Sequence, residues 1–331
     1  METNNKTKRI NYVYFLIVLL TSISSQIISD GTIKPNVPLR MAVQDSILTG
    51  QMEAPYQYRI VKPLLGYAVQ KIVSRFQRDP VKAHIISYHI NIFLVFLGIF
   101  TFFYFYLRIF FSENVCMIGL LLLLIIIPLG VTSVWEEGDY ITLLFYIIGF
   151  NLMFRHKDIF LPLLIAIGTL NRDQIIFFVV FYIIFLYDQK NLFTKRSLLL
   201  IMLCFAGYFI SYFSMRLYFG FKVNLYTAEM NSSTNIDNWK AILGLWIEQV
   251  SVYLILSIIA FRKSTIFFRL SLLSLILYVI IFFFNSIMSQ IAKILPAYLI
   301  LIPMALQTLT GEKMRKYLAY KTEEEILNVN S

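Results

Sequence analysis

Long apolar segments alternate with short polar ones along almost the whole chain. Several apolar segments approach the roughly 20 residues that an α-helix needs to cross a bilayer, and charged residues are absent from most of them. They lie at about 10–29, 84–107, 115–134, 140–154, 159–170, 175–187, 197–218, 246–261, 270–290 and 294–310. This pattern predicts an all-α fold, a polytopic transmembrane bundle of about ten spans. Residues 1–331 would form one integral membrane domain, ending in a cytoplasmic tail at 312–331.

Composition supports the membrane location. Of the 331 residues, 58% are hydrophobic and 15% are charged, which is too little polar surface for a soluble protein of this length. The formal net charge is +10. The basic residues concentrate in short flanks of the apolar segments, which is typical of topology signals and not of a nucleic-acid-binding face. The flanks place both termini on the cytoplasmic side, and the amino-acid usage favours a bacterial inner membrane.

The segment 159–187 decides the orientation of everything that follows it. As one long helix it would hold Arg172 at mid-membrane, which costs about 2.5–3.5 kcal/mol on insertion scales. Two short helices with residues 171–173 at an outer tip avoid this cost, and we favour such a hairpin. The outer face would then carry four features: the loop 30–83, the tip 136–139, the tip 171–173 and the loop 219–245.

The first outer loop contains an amphipathic pattern. Apolar residues recur at intervals of three and four from residue 61 to residue 76, which predicts a helix lying in the membrane interface. Such a helix could be a plain anchor on anionic headgroups. Alternatively it frames a site for a lipid-linked anion, with Tyr56, Tyr58, Arg59 and Lys62 as candidate substrate-binding residues. Their cationic groups suit a phosphate, and their rings suit a sugar.

Three carboxylates, Glu136, Glu137 and Asp139, stand between two apolar segments. Ionised carboxylates are costly in hydrocarbon, so the cluster requires water, a cation or a basic partner. It is either a solvated hairpin tip or part of a catalytic floor, and three acids could also hold a divalent cation. The spacing is weak evidence for a metal, and the histidines and cysteines show no ligand spacing. We therefore predict no metal and no other cofactor.

Two short segments resemble motifs of bacterial polytopic proteins related to the GT-C glycosyltransferases. The segment at 55–65, PYQYRIVKPLL, is similar to their YRxLxPxL segment. The segment at 168–174, GTLNRDQ, is similar to their N/K-R-E-T element, with Asp173 where Glu is usual and Gln174 where Thr is common. The resemblance covers about residues 10–190, while the C-terminal third matches only in hydropathy.

The resemblance implies a GT-C-like fold and a membrane glycosyltransferase. Such an enzyme transfers a sugar from a polyprenyl-phosphate-linked donor to an acceptor at the outer face of the membrane, and it works in contact with membrane lipid. It carries its catalytic base in the first outer loop. Carried over to this chain, the candidate bases are Asp45 first, with Glu53 and Asp30 behind it.

The chemistry of sugar transfer assigns roles to the remaining polar residues. A base must deprotonate the acceptor hydroxyl, and positive charge must stabilise the leaving phosphate. Other catalytic candidates are Glu136, Glu137 and Asp139, and further substrate-binding candidates are Asn171, Arg172 and Asp173. Two other functions stay open at this point: a polysaccharide polymerase or ligase, and a lipid or glycan transporter or flippase.

Overall fold

The computed structural model describes residues 2–33 and 36–317, with side chains from residue 12 onward. Regular structure in these residues is helical, as the sequence predicts. The α-helices are α1 (Glu2–Ile33), α2 (Val37–Leu48), α3 (Val61–Val73), α4 (Pro80–Leu107), α5 (Glu113–Gly130), α6 (Gly138–Phe154), α7 (Leu161–Thr169), α8 (Phe178–Asp188), α9 (Lys195–Phe219), α10 (Ala228–Asp237), α11 (Trp239–Gln249), α12 (Ser251–Ala260), α13 (Ile266–Asn285) and α14 (Tyr298–Thr310). Residues 318–331 of the predicted tail lie outside the described residues.

Six helical segments in the described part of the chain are long and apolar enough to cross a membrane, against about ten expected from the sequence. They are Tyr12–Ile33, Pro80–Leu107, Glu113–Gly130, Lys195–Phe219, Ile266–Asn285 and Ile291–Thr310. A seventh is present if α11 and α12, which meet at a bend of 58°, form one broken span. These long apolar helices are those of an integral membrane protein.

Three of the predicted spans form shorter helices. The segments at 140–154, 159–170 and 175–187 become α6 with 17 residues, α7 with 9 and α8 with 11. At a rise of about 1.5 Å per residue, α7 and α8 each reach about halfway across a hydrocarbon core of about 30 Å. A 3₁₀ turn at Asp173–Phe177 leads into α8. Residues 159–187 are thus two short helices with residues 171–173 between them, and not one long helix.

Aromatic rings fix one end of the bundle. Tyr106 and Phe110, around the end of α4, pack on Phe150 and Phe154 near the end of α6, with ring centroids 5.5 Å apart for Tyr106 and Phe150 and 5.1 Å for Phe110 and Phe154. The Tyr106 hydroxyl donates a hydrogen bond of 2.7 Å to the carbonyl of Leu299 in the buried helix α14. All four rings are buried, so this end of the bundle is tightly packed.

Local sequence signals set the helix boundaries at that opposite end. α4 begins with Pro80 at its first position, and the side chain of Asp79 accepts hydrogen bonds from the backbone N–H groups of Val81 and Lys82. Such a cap satisfies donors that the first helical turn leaves open. α9 ends at Gly220, whose φ of +82° favours glycine. Beyond Gly220 the chain contacts the first loop, where Asn224 forms a bridge with Ala54.

α3 occupies the stretch for which the periodicity predicts an interfacial helix. It packs on α4 and α2. Its apolar residues are not all covered by these neighbours, because Ile72 is 59% exposed and Phe76, just beyond the helix, is 86% exposed. A partly uncovered apolar face on a basic helix is typical of a segment lying at a bilayer surface.

Candidate functional site

Two polar links meet at the end of the bundle where α6 begins. One is the link 131–137 between α5 and α6, and the other is the link 170–172 before the 3₁₀ turn. Asn171 donates from Nδ2 to the carbonyl of Gly138 at 2.8 Å, and Arg172 donates from Nη2 to the carbonyl of Trp135 at 2.8 Å. Nε of Arg172 lies 2.8 Å from Oδ1 of Asp139. The two predicted outer tips therefore form one polar unit.

Glu137 is the anchor of this unit. Its Oε1 accepts hydrogen bonds from Arg40 at 2.6 Å and 3.0 Å and from the hydroxyl of Tyr88 at 3.1 Å, and its Oε2 accepts one from Lys62 at 2.5 Å. Burial alone would raise the pKa of Glu137, but the charges of Lys62 and Arg40 outweigh it and hold the pKa below its ordinary value. Both oxygens are occupied, so Glu137 is a poor proton acceptor.

A cavity of about 110 Å³ lies beside this cluster, between α2, α3, α4 and the start of α6. Arg40 and Glu137 form part of its polar wall, and Ile92 and Val95 belong to its apolar wall. His84 also lines it, and the Nε2 atom of that ring is buried without a hydrogen-bond partner. The volume is below the roughly 150 Å³ of a cavity that holds benzene, so there is room for a few heavy atoms only.

A larger cavity of about 440 Å³ lies on the other side of a wall made by Tyr56 and Trp135, whose ring centroids are 4.8 Å apart. Its lining combines three kinds of group. The basic side chains are Arg59, Arg172, Arg216 and Lys293, the acids are Glu136 and Asp173, and the further aromatic rings are those of Phe177, Tyr208, Tyr212, Tyr226, Tyr278, Phe282 and Phe284. Such a lining suits a ligand with an anionic group and a face that stacks on aromatic rings.

Glu136 lines the larger cavity and is only 5% exposed. Its Oε2 accepts hydrogen bonds from the backbone N–H of Thr132 at 3.0 Å and from the hydroxyl of that residue at 3.4 Å. Burial raises the pKa of Glu136 above its ordinary value, against the opposing hydrogen bond from Thr132. Unlike its neighbours Glu137 and Asp139, it makes no ion pair with any described residue. A carboxyl group in this state is suited to accept a proton.

Arg59 and Arg216 bring charge to the cavity with little local compensation. Burial, followed by the nearby charge of Arg172, lowers the pKa of Arg59 to about 10, so it stays protonated at neutral pH. Its Nε atom is buried without a hydrogen-bond partner. The guanidinium of Arg216 stacks on the ring of Tyr212 at 3.2 Å, and its Nη2 lies 3.7 Å from Oδ2 of Asp173. The distance to the carboxylate is that of a loose pair.

Residues 220–226, here called the strap, close one side of the larger cavity. Nζ of Lys222 donates hydrogen bonds of 2.6 Å to the carbonyls of Gly50 and Met52. The N–H of Leu225 donates to the carbonyl of Ala54 at 3.0 Å, in an isolated bridge between the strap and the first loop. The strap is therefore attached to the loop that carries Tyr56 and Arg59.

The structure distributes the predicted catalytic acids over distinct environments. Asp45, in α2, and Glu53, in the loop after it, are exposed and line neither cavity. Glu136 lines the larger cavity and Glu137 the smaller. Asp139 is 1% exposed and lines neither, and it holds Arg172 through Oδ1. Among these acids, Glu136 lines the larger cavity, and its Oε1 accepts no hydrogen bond from a described residue. These two properties are the ones that a general base needs.

The predicted binding residues gather at the same end. Tyr56, Arg59 and Arg172 border both cavities, Lys62 and Asn171 border the smaller one, and Asp173 borders the larger. Tyr58 has a different position. It is buried, and its hydroxyl donates to the carbonyl of Gly220 at 2.8 Å and accepts from the N–H of Lys222 at 2.9 Å. Tyr58 thus holds the strap and lines neither cavity.

Sequence reasoning did not nominate Arg40, Arg216 or Lys293 for the site. Lys293 is a single cation between the apolar segments 270–290 and 294–310, and Arg216 is a single cation near the end of another. An isolated charge at the edge of an apolar segment is therefore the signal that could have found them, because such a charge needs a polar cavity or a partner. Arg40 lies in the long first loop, where no such contrast marks it.

No family model, curated protein or solved structure matches this chain. Among the described residues, no group of three or more His, Cys, Asp or Glu side chains could hold a metal ion.

Proposed function

We propose that this chain is a membrane glycosyltransferase. It would move a sugar from a polyprenyl-phosphate-linked donor to an acceptor hydroxyl in the larger cavity, at the outer face of a bacterial inner membrane, with both termini cytoplasmic. The observation that carries the proposal is the lining of that cavity. A buried carboxyl group with a raised pKa, four basic side chains and several aromatic rings surround one space of about 440 Å³ at an end of an apolar helical bundle.

In this proposal Glu136 is the base. Its Oε2 is held by Thr132, which leaves Oε1 available to the acceptor hydroxyl. As the proton passes to the carboxylate, the acceptor oxygen attacks the anomeric carbon and the bond from that carbon to the phosphate oxygen breaks. General base catalysis of this kind contributes typically about 10²–10⁴-fold in rate.

The basic side chains stabilise the leaving phosphate. Arg59 presents a buried guanidinium whose Nε has no hydrogen-bond partner, and Lys293 lines the same cavity. Arg172 is oriented by Asp139 and by the carbonyl of Trp135. Fixed cations aimed at the position where negative charge develops lower the barrier most, because they need no rearrangement during the reaction.

The test compares two acids. Purified protein in lipid nanodiscs would be incubated with a panel of synthetic polyprenyl-phosphate sugars together with a panel of hydroxyl-bearing acceptors, and release of polyprenyl phosphate would be measured. Glu136→Gln should lower kcat by about 10²-fold or more, whereas Asp45→Asn, at an exposed position outside both cavities, should leave it unchanged. Loss of activity in Asp45→Asn alone would return the base to the first loop, and no release from any donor by the wild type would refute the function.

A carrier for the same kind of lipid-linked sugar is the second candidate. It is favoured by the bend of 58° between α11 and α12, since broken apolar helices are a recurrent feature of transporters. A carrier would move the donor across a proteoliposome membrane and release no polyprenyl phosphate. In a carrier, Glu136→Gln would change transport only if the substrate binds that side chain, so the two readouts separate the candidates.

A further inference from the structure

The link 131–137 forms part of the wall between the two cavities, and its side chains are divided between the two sides. Val134 and Glu137 line the smaller cavity, Glu136 lines the larger one, and Trp135 lines both. A group that binds the link from the smaller cavity therefore acts from the side opposite to the carboxyl group of Glu136. Any effect of that group on sugar transfer passes through the position of the link.

Lys62, the second residue of α3, binds the link from that side at two points. Its Nζ donates a hydrogen bond of 2.5 Å to Oε2 of Glu137 and one of 3.4 Å to the carbonyl of Val134. These points lie one residue after Glu136 and two residues before it. Lys62 lines the smaller cavity and not the larger one, so it is not placed to contact a substrate of the proposed reaction.

The first turn of α3 is also fixed to the link 170–172. The N–H of Val61 donates to the carbonyl of Leu170 at 3.4 Å, and Arg172 donates from Nη2 to the carbonyl of Trp135 at 2.8 Å. The side chain of Lys62 is 31% exposed, and a partly exposed ion pair adds little to stability. The main consequence of its two contacts is therefore the geometry of the link.

We propose that Lys62 is a positioning residue for sugar transfer, which holds the link from the smaller cavity so that the carboxyl group of Glu136 faces the larger one. This inference rests on the proposed function and changes the role of Lys62, which the sequence nominates as a substrate-binding residue. Reacting groups must be held to within about 0.5 Å, and a misplacement of about 1 Å can lower the rate by about 10²-fold. An ammonium group bound on both sides of the base supplies such a restraint.

Three variants in α3 test the assignment in the nanodisc assay of polyprenyl phosphate release. Lys62→Met removes the ammonium group, and Lys62→Arg keeps a cationic donor of similar reach. Lys71→Met is the matched control, at an exposed position of α3 that lines neither cavity. Lys62→Met should lower kcat by about tenfold or more and change KM by less than about twofold, because the restraint acts on the base and not on substrate binding. Lys62→Arg should recover most of kcat, and Lys71→Met should match the wild type.

The pH dependence of the rate excludes a loss of folded protein as the cause. Burial raises the pKa of Glu136, and the hydrogen bond from the N–H of Thr132 opposes this increase. Displacement of the link weakens that bond, so the rate for Lys62→Met should fall on acidification at a higher pH than the rate for the wild type. A smaller amount of folded protein would lower the rate without moving that pH.

Arg40→Met separates positioning from stability. This variant removes the more buried ion pair of Glu137 and leaves both contacts of Lys62 in place. If Lys62 only stabilised the fold, Arg40→Met would lower kcat more than Lys62→Met does. We expect the reverse order, because only Lys62→Met releases the link on both sides of Glu136.

Amide hydrogen exchange separates this inference from the proposed function, since it needs no turnover. The N–H groups of Trp135 and Glu136 donate to Ser133, and their exchange should rise by about tenfold in Lys62→Met and stay the same in Lys71→Met. Unchanged exchange in Lys62→Met, or a raised KM with an unchanged kcat, would overturn the inference and leave Glu136 as the base. Raised exchange with an unchanged kcat would also overturn it. A wild type that releases no polyprenyl phosphate would refute the function and, with it, the catalytic role of Lys62.

Discussion

Removing single members of the buried network around Glu137 should destabilise the protein in a defined order. Glu137 has no exposed side-chain surface, Arg40 has 6% and Lys62 has 31%. Leaving one member of a buried ion pair without its partner costs about 3–5 kcal/mol, whereas a partly exposed pair contributes about 0–1 kcal/mol. Glu137→Gln should therefore be the most harmful change, Arg40→Met should cost about 3 kcal/mol, and Lys62→Met about 1 kcal/mol.

Arg40→Met sits between the other two for a structural reason. In that variant Lys62 still neutralises Glu137, and the Tyr88 hydroxyl still donates to it, so part of the network survives. Three hydrogen bonds from Arg40 are lost, two of 2.6 Å and 3.0 Å to Glu137 and one of 2.9 Å to the Tyr88 hydroxyl. Because both substitutions disrupt the same contacts, the double variant Arg40→Met with Glu137→Gln should cost less than the sum of the single ones by at least about 1 kcal/mol.

The free energy of unfolding would be measured by titrating the protein in mixed micelles with a denaturing detergent, followed by circular dichroism. pH provides an independent check. The pKa of Glu137 is held below its ordinary value of 4.5 in the folded protein, so its contribution is present above pH 4.5 and is lost as the pH falls through the lower folded pKa. The wild type should lose this stability on acidification, and Glu137→Gln should not. Additive effects in the double variant, or a wild-type stability for Glu137→Gln, would refute the reasoning.

Three further predictions address other parts of the molecule. Because burial raises the pKa of Glu136, the rate of sugar transfer should fall on acidification at a pH above 4.5, the ordinary carboxyl pKa. A rate that stays constant down to pH 4 would contradict the assignment of Glu136 as the base. Gly149→Ala should lower the free energy of unfolding by about 1–3 kcal/mol through overpacking, since the added Cβ would lie 2.6 Å from the ring of Phe178. Gly244→Ala is the control, because a Cβ at that position would have no atom within 4 Å. Lys222→Met removes two hydrogen bonds of 2.6 Å that hold the strap to the first loop. The rate of amide hydrogen exchange in residues 220–226 should therefore rise by about tenfold, while exchange in the helices stays the same. An unchanged exchange rate in the strap would show that other contacts hold it.

The helical class of the fold follows from hydropathy, and so do most helix positions. α4, α5, α9 and α13 overlap the apolar segments that the sequence shows at 84–107, 115–134, 197–218 and 270–290. The number of spans does not follow, because hydropathy measures how apolar a segment is and not whether one straight helix contains all of it. Residues 159–187 show the difference: they are nearly as apolar as a span, yet they are divided by the link that carries Arg172.

The site was predictable in part, for a related reason. Loop polarity and topology place Arg59, Glu136 and Arg172 at one end of the bundle. They cannot say which partner each residue meets, because those partners are distant in sequence. The Arg40–Glu137 pair spans 97 residues, and Lys293 reaches the cavity from the other end of the chain. Such contacts depend on how the helices pack, which no local pattern encodes.

The three carboxylates of the link differ because their partners differ. Glu137 is held by two cations, and Asp139 lies against Arg172. Glu136 lies between the end of α5 and Glu137, and among the described residues it accepts side-chain hydrogen bonds from Thr132 alone. Since its neighbours already fix the backbone on its C-terminal side, Glu136 needs no cation to hold it in place. Its charge is therefore free to change, and a proton acceptor must be able to change its charge during each turnover.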